Sequence, residues 1–298
     1  MLRWLPGSVR GVFASIILGL NTLCVCIFFF PFSLIKLVVP LRSVRNVTDR
    51  CLIGLANAWI SVNHGWMRAV QKLDWHVSGL DALNPQGWYL VSCNHQSWAD
   101  IVILQRVFQG RIPFLKFFLK RELIYVPIIG LAWWALDFPF MRRGGKTLAS
   151  TAADMAAARA SCEKFRHIPT SVFNFLEGTR FTPQKHQQQK SPYRHLLKPK
   201  SGGATIALGT MGDKFAGMVD VTLVYPAGIP NFWQVLCGRT GPVILTARTL
   251  DIPAEFVQGA MAGDAKIRAK VQEWLNGIWA EKDQQIESLL KPARRGQP

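Results

Sequence analysis

The stretch Trp88-Tyr89-Leu90-Val91-Ser92-Cys93-Asn94-His95-Gln96-Ser97-Trp98-Ala99-Asp100 starts apolar, passes through a polar turn and leads into a second apolar run at 101–104. The first run predicts a buried strand over 88–93, because strands of that kind are short and continuously apolar. The second run predicts a helix over 98–108. Ser97 is a good N-cap for it, and Asp100 follows three residues later, much as in a capping box.

His95 and Asp100 carry the candidate chemistry of this stretch. Five residues turn a regular helix by about 500°, so their side chains meet only if His95 lies in the turn and Asp100 in the first helical turn. Asp100 could then fix the imidazole tautomer while the other ring nitrogen takes a proton. The spacing alone is weak, because His76 and Asp81 repeat it.

Short apolar runs alternate with helical stretches from about residue 74 onward. Further strands are predicted at 75–77, 138–141, 172–176, 219–225 and 242–246, and further helices at 147–165, 202–211 and 265–290. This alternation predicts an α/β fold with a mixed, largely parallel sheet flanked by helices. Two segments, 111–123 and 125–140, fit either buried core or a surface on which cationic side chains snorkel beside lipid.

A second polar turn follows the predicted strand at 172–176 and reads Glu177-Gly178-Thr179-Arg180. Gly178 would permit positive φ or a close backbone approach. Arg180 projects a planar fork that suits a phosphate. Lys200 precedes Ser201-Gly202-Gly203 at a predicted helix start, a position that favours anions.

The composition suits one catalytic domain with an appendage. The chain has 298 residues and a net charge of +17, from 35 basic and 18 acidic residues. Such a balance favours nucleic acid, an anionic membrane surface or phosphorylated substrates. The six cysteines show no zinc-type pairing with histidines, and we interpret them as reduced thiols in a reducing compartment.

An uncharged segment at 11–35 decides among these partners in favour of a membrane. Its apolar core, 12–30, reaches the roughly 20 residues that span a bilayer. It is too long for the core of a cleavable signal peptide, and no small-residue cleavage site follows it. Residues 9–30 could form one spanning helix, or residues 9–40 a helical hairpin that dips into one leaflet.

The residues after this segment predict how the chain continues. An amphipathic helix is predicted at about 47–73, so we expect an N-terminal membrane anchor and linker helix at 1–73 and a catalytic domain with a C-terminal amphipathic helix at 74–298. Lys36, Arg42, Arg45 and Arg50 favour a cytoplasmic position for that domain.

Taken together, Asn94-His95-Gln96-Ser97-Trp98-Ala99-Asp100 and Phe175-Leu176-Glu177-Gly178-Thr179-Arg180 resemble two motifs of the glycerolipid and lysophospholipid acyltransferases. The run 180–186, Arg-Phe-Thr-Pro-Gln-Lys-His, is similar to that of 1-acylglycerol-3-phosphate acyltransferases. The region 274–283 resembles bacterial membrane members. The likeness covers about 75–230. Leu176 departs from the proline found in many members, and the motif at 221–226 matches poorly.

The resemblance implies roles for particular residues. His95 would be the general base and Asp100 its orienting partner. Arg143, aligned with the family's second motif, would help bind the acceptor's glycerol phosphate together with Glu177, Gly178, Thr179 and Arg180; the adjacent Arg142 is the alternative to Arg143. Lys200 is the lysine we place opposite the family's Lys-Gly-Ala stretch.

The implied reaction is acyl transfer from a thioester to the free hydroxyl of a lysophospholipid. We expect 1-acylglycerol-3-phosphate as acceptor, with lysophosphatidylinositol-like or lysocardiolipin-like acceptors as alternatives, and acyl-CoA or acyl carrier protein as donor. A membrane protein that only binds phospholipid, without catalysis, is the other alternative. No metal or cofactor is expected, and Ser97 lacks the Gly-x-Ser-x-Gly elbow of a nucleophile. The expected location is the bacterial inner membrane. Nucleic acid is not an expected partner.

Overall fold

The computed structural model describes residues 2–39, 41–126, 129–141, 148–257 and 265–295. Its strands, in chain order, are β1 (Trp75–Ser78), β2 (Tyr89–Cys93), β3 (Leu115–Phe117), β4 (Leu119–Lys120), β5 (Phe140–Met141), β6 (Ser171–Phe175), β7 (Gly217–Val224) and β8 (Val243–Leu250). Its helices are α1 (Gly7–Val38), α2 (Arg42–Val70), α3 (Ala99–Phe108), α4 (Ile129–Ala135), α5 (Leu148–Lys164), α6 (Pro183–Gln189), α7 (Gly202–Met211), α8 (Phe232–Leu236) and α9 (Ala265–Arg295).

The main sheet has the order β1-β8-β7-β2-β6-β3. Strand β2 pairs in parallel with both β6 and β7, β3 pairs in parallel with β6, and only the β7–β8 pairing in this sheet is antiparallel. The expected mixed, largely parallel α/β sheet is therefore confirmed. Cys93 lies opposite Phe175 and Val221, so the chain segments that leave β2, β6 and β7 emerge at one edge.

The sequence did not predict β3. It is three residues long and has the basic Lys116 at its centre, so it lacks the pattern of an apolar strand. Lys116 does not snorkel. It lies buried, with Nζ 4.2 Å from the centre of the Phe165 ring, and burial lowers its pKa to about 8.

The two ambiguous segments differ in the structure. Residues 111–123 contribute Ile112, Leu115 and Phe117 to the core. Residues 125–140 are divided, because Phe138 is buried while Tyr125 is 77% exposed.

The first two helices form an antiparallel pair. Leu2 N–H donates to Ala69 O at 2.9 Å, Arg10 Nη1 donates to Val70 O at 2.7 Å, and Lys36 at the other end of α1 lies 2.7 Å from Asp49 of α2. α1 continues through Pro31 to Val38, so the hairpin considered within 9–40 is not formed. Instead, α1 as a whole forms an antiparallel helical hairpin with α2. By length and composition α1 could cross a membrane.

α1 is also packed against the α/β domain. A Cβ on Gly11 would meet Trp233 and Cys237 beside α8, and Lys36 Nζ donates to Ala135 O at the end of α4. The opposite side of α1 leaves large apolar side chains exposed: Val9, Val12, Phe13, Ile16, Leu20, Leu23, Ile27, Phe28, Phe30, Leu34, Ile35, Leu37 and Val38.

Helix α9 is attached to the centre of the sheet by a buried ion pair. Lys282 is fully buried, and its Nζ lies 2.7 Å from Asp220 Oδ1 on β7 and 4.8 Å from the Trp279 ring centre. Because breaking a buried pair leaves an uncompensated charge, this contact strongly constrains where α9 lies.

Candidate active site

His95 and Asp100 meet in the geometry that their spacing requires. His95 lies in the turn after β2, and Asp100 lies in the first turn of α3, which begins at Ala99. His95 Nδ1 is 2.8 Å from Asp100 Oδ2. The carboxylate accepts the Nδ1 proton, so the lone pair of the neutral ring is on Nε2. Within the described ranges Nε2 makes no hydrogen bond, which leaves it available to a substrate hydroxyl.

The carboxylate of Asp100 is completely buried and organises the whole turn. Oδ2 also accepts the backbone N–H groups of Gln96 at 2.7 Å and Ser97 at 2.9 Å. This is one half of the capping box that the sequence suggested. The other half is not made, because the Ser97 hydroxyl accepts the N–H of Ala99 and donates to Pro230 O at 2.5 Å.

The aromatic side chain of Phe175, at the end of β6, supports the imidazole from one face. The ring centres of His95 and Phe175 are 3.8 Å apart, with 14° between the planes. The His95 side chain is only 12% exposed. A ring stacked on one side and hydrogen-bonded at Nδ1 has little freedom to rotate, so Nε2 points in one direction.

Glu177 connects the two turns and does not face solvent. Its Oε1 accepts the N–H of His95 at 2.9 Å, and its Oε2 accepts the N–H of Leu197 at 3.0 Å. Burial raises the pKa of Glu177 to about 8, although these two N–H bonds and Lys282 lower it. Its position supports a positioning role rather than the direct acceptor contact that the resemblance implied.

The residues after Glu177 form a basic surface on which Arg180 and Lys200 are exposed. Gly178 has a φ of 67°, as the turn required, and a Cβ placed there would lie 3.5 Å from Lys200 Nζ. Lys185 Nζ donates to Thr179 Oγ1 at 2.7 Å and to Arg180 O at 3.1 Å. The structure thus brings Gly178, Thr179, Arg180 and Lys200 together and adds Lys185.

The guanidinium of Arg180 also contacts the turn that carries His95. It lies 4.8 Å from the centre of the exposed Trp98 ring, a cation–π contact. A second link between the turns is made by the backbone, since Phe181 N–H donates to His95 O at 2.7 Å. These contacts place the positive charge of Arg180 on the same side of the molecule as His95.

Residues of α9 hold the loop that precedes Lys200. Asp283 accepts the backbone N–H groups of Arg194 at 2.8 Å and His195 at 2.7 Å. Trp279 Nε1 donates to Leu197 O at 3.1 Å. The sequence likeness over 274–283 indicated this helix but not what it contacts. The helix holds the loop that contains Leu197, whose N–H donates to Glu177.

Two further expectations concern His76 and Arg143. His76 has the same spacing to Asp81 as His95 has to Asp100, but no supporting motif surrounds it. Its side chain is 70% exposed and contacts Asp74 at 3.2 Å. Arg143 and its alternative Arg142 lie outside the described residues.

Tyr225, which no sequence pattern singled out, donates its hydroxyl to Asp100 Oδ1 at 2.6 Å. Tyr225 lies inside the 221–226 motif, which matches the family poorly.

The fold and the site define a class: an α/β acyltransferase with a histidine–aspartate pair at one edge of its sheet. The acyltransferase family matches residues 74–229, more than half of the 298 residues, and the chain belongs to that family. Its relatives are O-acyltransferases, and so is this chain.

Several relatives share most of the chain. The 1-acyl-sn-glycerol-3-phosphate acyltransferase gamma of Mus musculus is 27% identical over 85% of this chain and 74% of its own length. The 1-acyl-sn-glycerol-3-phosphate acyltransferase 3 of Arabidopsis thaliana is 24% identical over 97% of this chain and 74% of its own. Lysocardiolipin acyltransferase 1 of Danio rerio is 24% identical over 97% of this chain and 73% of its own.

A solved structure shows the same fold. The crystal structure of the 1-acyl-sn-glycerophosphate (LPA) acyltransferase PlsC from Thermotoga maritima has a TM-score of 0.50 and 17% identity. The match covers 90% of this chain and 97% of that one.

Proposed function

We propose that this acyltransferase transfers an acyl chain from a thioester to the free hydroxyl of 1-acylglycerol-3-phosphate, giving phosphatidic acid. The observation that carries the proposal is the His95–Asp100 pair, with Nε2 free of hydrogen bonds to the described residues and the basic 178–180 turn beside it. The pair supplies a base, and the turn supplies positive charge for the acceptor's phosphate.

In the proposed mechanism, the acceptor oxygen attacks the thioester carbonyl while His95 Nε2 removes its proton. The C–S bond then breaks, and the imidazolium returns the proton to the departing thiolate. An alcohol is a poor nucleophile near neutral pH, so a correctly aimed base contributes about 10²–10⁴-fold. The two substrates react directly, and the mechanism needs no acyl-enzyme.

Arg180 and Lys200, with the backbone at Gly178 and Thr179, are proposed to hold the acceptor phosphate. Arg180 can form paired hydrogen bonds with phosphate oxygens through its N–H edge while its face stays on Trp98. We keep Arg143 in this set on the resemblance alone. Glu177 has a different proposed part. Its buried carboxyl group joins the His95 turn to the loop before Lys200, so base and phosphate site keep a constant separation.

An apolar cavity of about 220 Å³ begins beside the first turns of α3 and is a candidate site for an acyl chain. Ile101 and Val102 of α3 line it, together with Val25 and Phe29 of α1 and Trp133 of α4. Its walls therefore come from both the domain and the helix that carries the exposed apolar face. An acyl chain could pass from lipid into it without crossing water.

We propose that α1 lies within one leaflet. A helix of 32 residues is about 48 Å long, well beyond the roughly 30 Å of a bilayer's hydrocarbon core. Its contacts with α2, α4 and α8 hold one side of it against the domain, so only its other side is left to face lipid. We place the protein at the bacterial inner membrane with its domain on the cytoplasmic side, where Arg42, Arg45 and Arg50 would meet anionic headgroups.

The acceptor and the donor are tested with one panel. Purified protein in detergent would receive lysophosphatidic acid, lysophosphatidylinositol or lysocardiolipin, each with acyl-CoA and with acyl carrier protein thioester. We expect the highest kcat/KM with lysophosphatidic acid. Higher kcat/KM with lysocardiolipin would favour the alternative acceptor, which the likeness to the Danio rerio relative over 97% of the chain supports. Transfer to none of these acceptors would contradict the proposed function.

A further inference from the structure

Tyr225 follows β7 directly and brings a phenol into the catalytic pair from a third strand. Its hydroxyl donates to Asp100 Oδ1 at 2.6 Å, across 125 positions of sequence. Tyr225 is 3% exposed and Asp100 is completely buried. The contact follows from strand order, since β7 lies beside β2 in parallel register and both strands end at the same edge.

The two oxygens of Asp100 have unequal partners. Oδ2 accepts from His95 Nδ1 and from two backbone N–H groups, whereas Oδ1 has Tyr225 as its hydrogen-bond partner among the described residues. A buried carboxylate oxygen without a donor is costly, and bonds to charged acceptors are among the strongest in proteins. The phenol therefore completes the hydrogen bonding of the carboxylate on the side away from the imidazole.

The phenol keeps its proton under all ordinary conditions. Burial raises the pKa of Tyr225 well above its usual value, and the Asp100 charge and their hydrogen bond raise it further. A donor that does not titrate withdraws negative charge from Asp100 at every working pH. How strongly Asp100 stabilises a protonated His95 ring thus depends on this donor.

We propose that Tyr225 is a positioning residue for acyl transfer. Its hydroxyl orients the Asp100 carboxylate towards His95 and limits its basicity, which sets the pH above which His95 is free to accept a proton. This inference rests on the proposed function. Other groups near the pair also carry charge or titrate: Cys93 at the end of β2, Asp220 on β7, Glu177 after β6 and Lys282 on α9.

The test compares Tyr225→Phe with wild type over the pH range. Without the phenol, Asp100 is more basic and favours protonated His95. The acid limb of the kcat profile should then move to higher pH by about one unit, and kcat should fall about tenfold below the limb. Acceptor KM should stay within about twofold. An unmoved acid limb, or a change confined to KM, would overturn the proposal.

Tyr89→Phe is a matched control. Tyr89 is also buried, at the start of β2, and its hydroxyl accepts the N–H of Asn84 at 2.9 Å, at the edge of the sheet opposite His95. Losing that hydroxyl affects packing and stability but not Asp100, so the acid limb should stay in place. If both variants gave the same profile, the role of Tyr225 would be structural.

Two measurements keep the inference testable if Tyr225→Phe folds poorly or if the acceptor is wrong. Fluorotyrosine placed at position 225 keeps the shape of the ring but donates more strongly, so the acid limb should move to lower pH. Carbethoxylation of His95, followed by peptide mass spectrometry, needs no acceptor and should show the same two displacements. If these displacements appear but no lysophospholipid is acylated, only the proposed function fails. If acyl transfer to the acceptor is normal but the acid limb does not move, only the Tyr225 inference fails.

Discussion

At the scale of single residues, Glu177 is the group whose burial has the clearest consequence. Its side chain is enclosed between the His95 turn and the loop at Leu197, and both oxygens accept backbone N–H groups. Each carboxyl oxygen already accepts a backbone N–H group, and as an anion the carboxyl group would repel an acceptor phosphate. Its contribution to activity should therefore be geometric, through the position of His95.

The raised pKa of Glu177 predicts how stability depends on pH. With a pKa of about 8 when folded and 4.5 otherwise, the folded chain binds one more proton than the unfolded chain between these values. The free energy of unfolding should therefore fall as pH rises through that window, and the stability present below it should be lost above pH 8.

Thermal unfolding of wild type and Glu177→Gln at a series of pH values would measure this effect. The variant lacks the titrating group, so the Tm of wild type relative to the variant should decrease by several degrees between pH 5 and pH 8.5, on the order expected for a few kcal/mol in a chain of this size. A relative Tm that stays constant over that range would show that Glu177 is ionised in the folded protein throughout.

At the scale of elements, α9 and the loop it holds form the part of the site most distant in sequence from His95. Asp283 accepts two consecutive N–H groups of this loop, and Lys282 beside it is paired with Asp220 in the sheet. Neighbouring residues of one helix therefore contact the sheet and the loop. Lys200 itself is bound directly to the end of β6, because its N–H donates to Leu176 O at 2.8 Å, and α9 holds the loop that precedes it.

Asp283→Ala should loosen this loop and raise the acceptor KM about tenfold, with a smaller effect on donor KM. Steady-state kinetics with each substrate varied in turn would separate the two. Glu281→Ala is the control, because Glu281 is on the same helix but pairs with Arg248 on β8. Equal acceptor KM in the two variants would contradict a positioning role for α9.

The predictable part of the fold and site came from local patterns. The β2–α3 unit, the strand before Glu177 and the positive φ of Gly178 all follow from residues within one short stretch. Contacts of Asp100 with Tyr225, and of Asp283 with the loop, join residues 88–125 positions apart. They depend on strand order and helix packing, which no local pattern contains.

At the scale of the whole molecule, the main structural difference from expectation is the N-terminal anchor. Its uncharged, apolar composition predicted a membrane helix or hairpin, but could not show that one helix continues through Pro31 and pairs with α2. Packing of α1 against α4 and α8 makes it part of the catalytic unit. The exposed apolar side of α1 and the His95–Asp100 site should therefore keep a constant distance and orientation relative to each other at the membrane.

A helix within one leaflet has both ends on the same side of the membrane. Arg3→Cys and Ser43→Cys lie before and after α1, and Gln188→Cys, on α6, reports the side of the domain. A membrane-impermeant maleimide should label all three in inside-out vesicles and none in right-side-out vesicles, as read by peptide mass spectrometry. Labelling of Arg3→Cys from the side opposite Ser43→Cys would show that α1 spans the membrane.

The most direct test of the account is the requirement for His95 in acyl transfer. The purified His95→Ala protein should consume acyl thioester with lysophosphatidic acid at least about 10²-fold more slowly than wild type, the loss expected for a general base. His76→Ala is the matched control, since His76 has the same spacing to an aspartate but is exposed beside Asp74, and it should retain wild-type activity. Near wild-type activity in His95→Ala would remove this histidine from the mechanism and contradict the account.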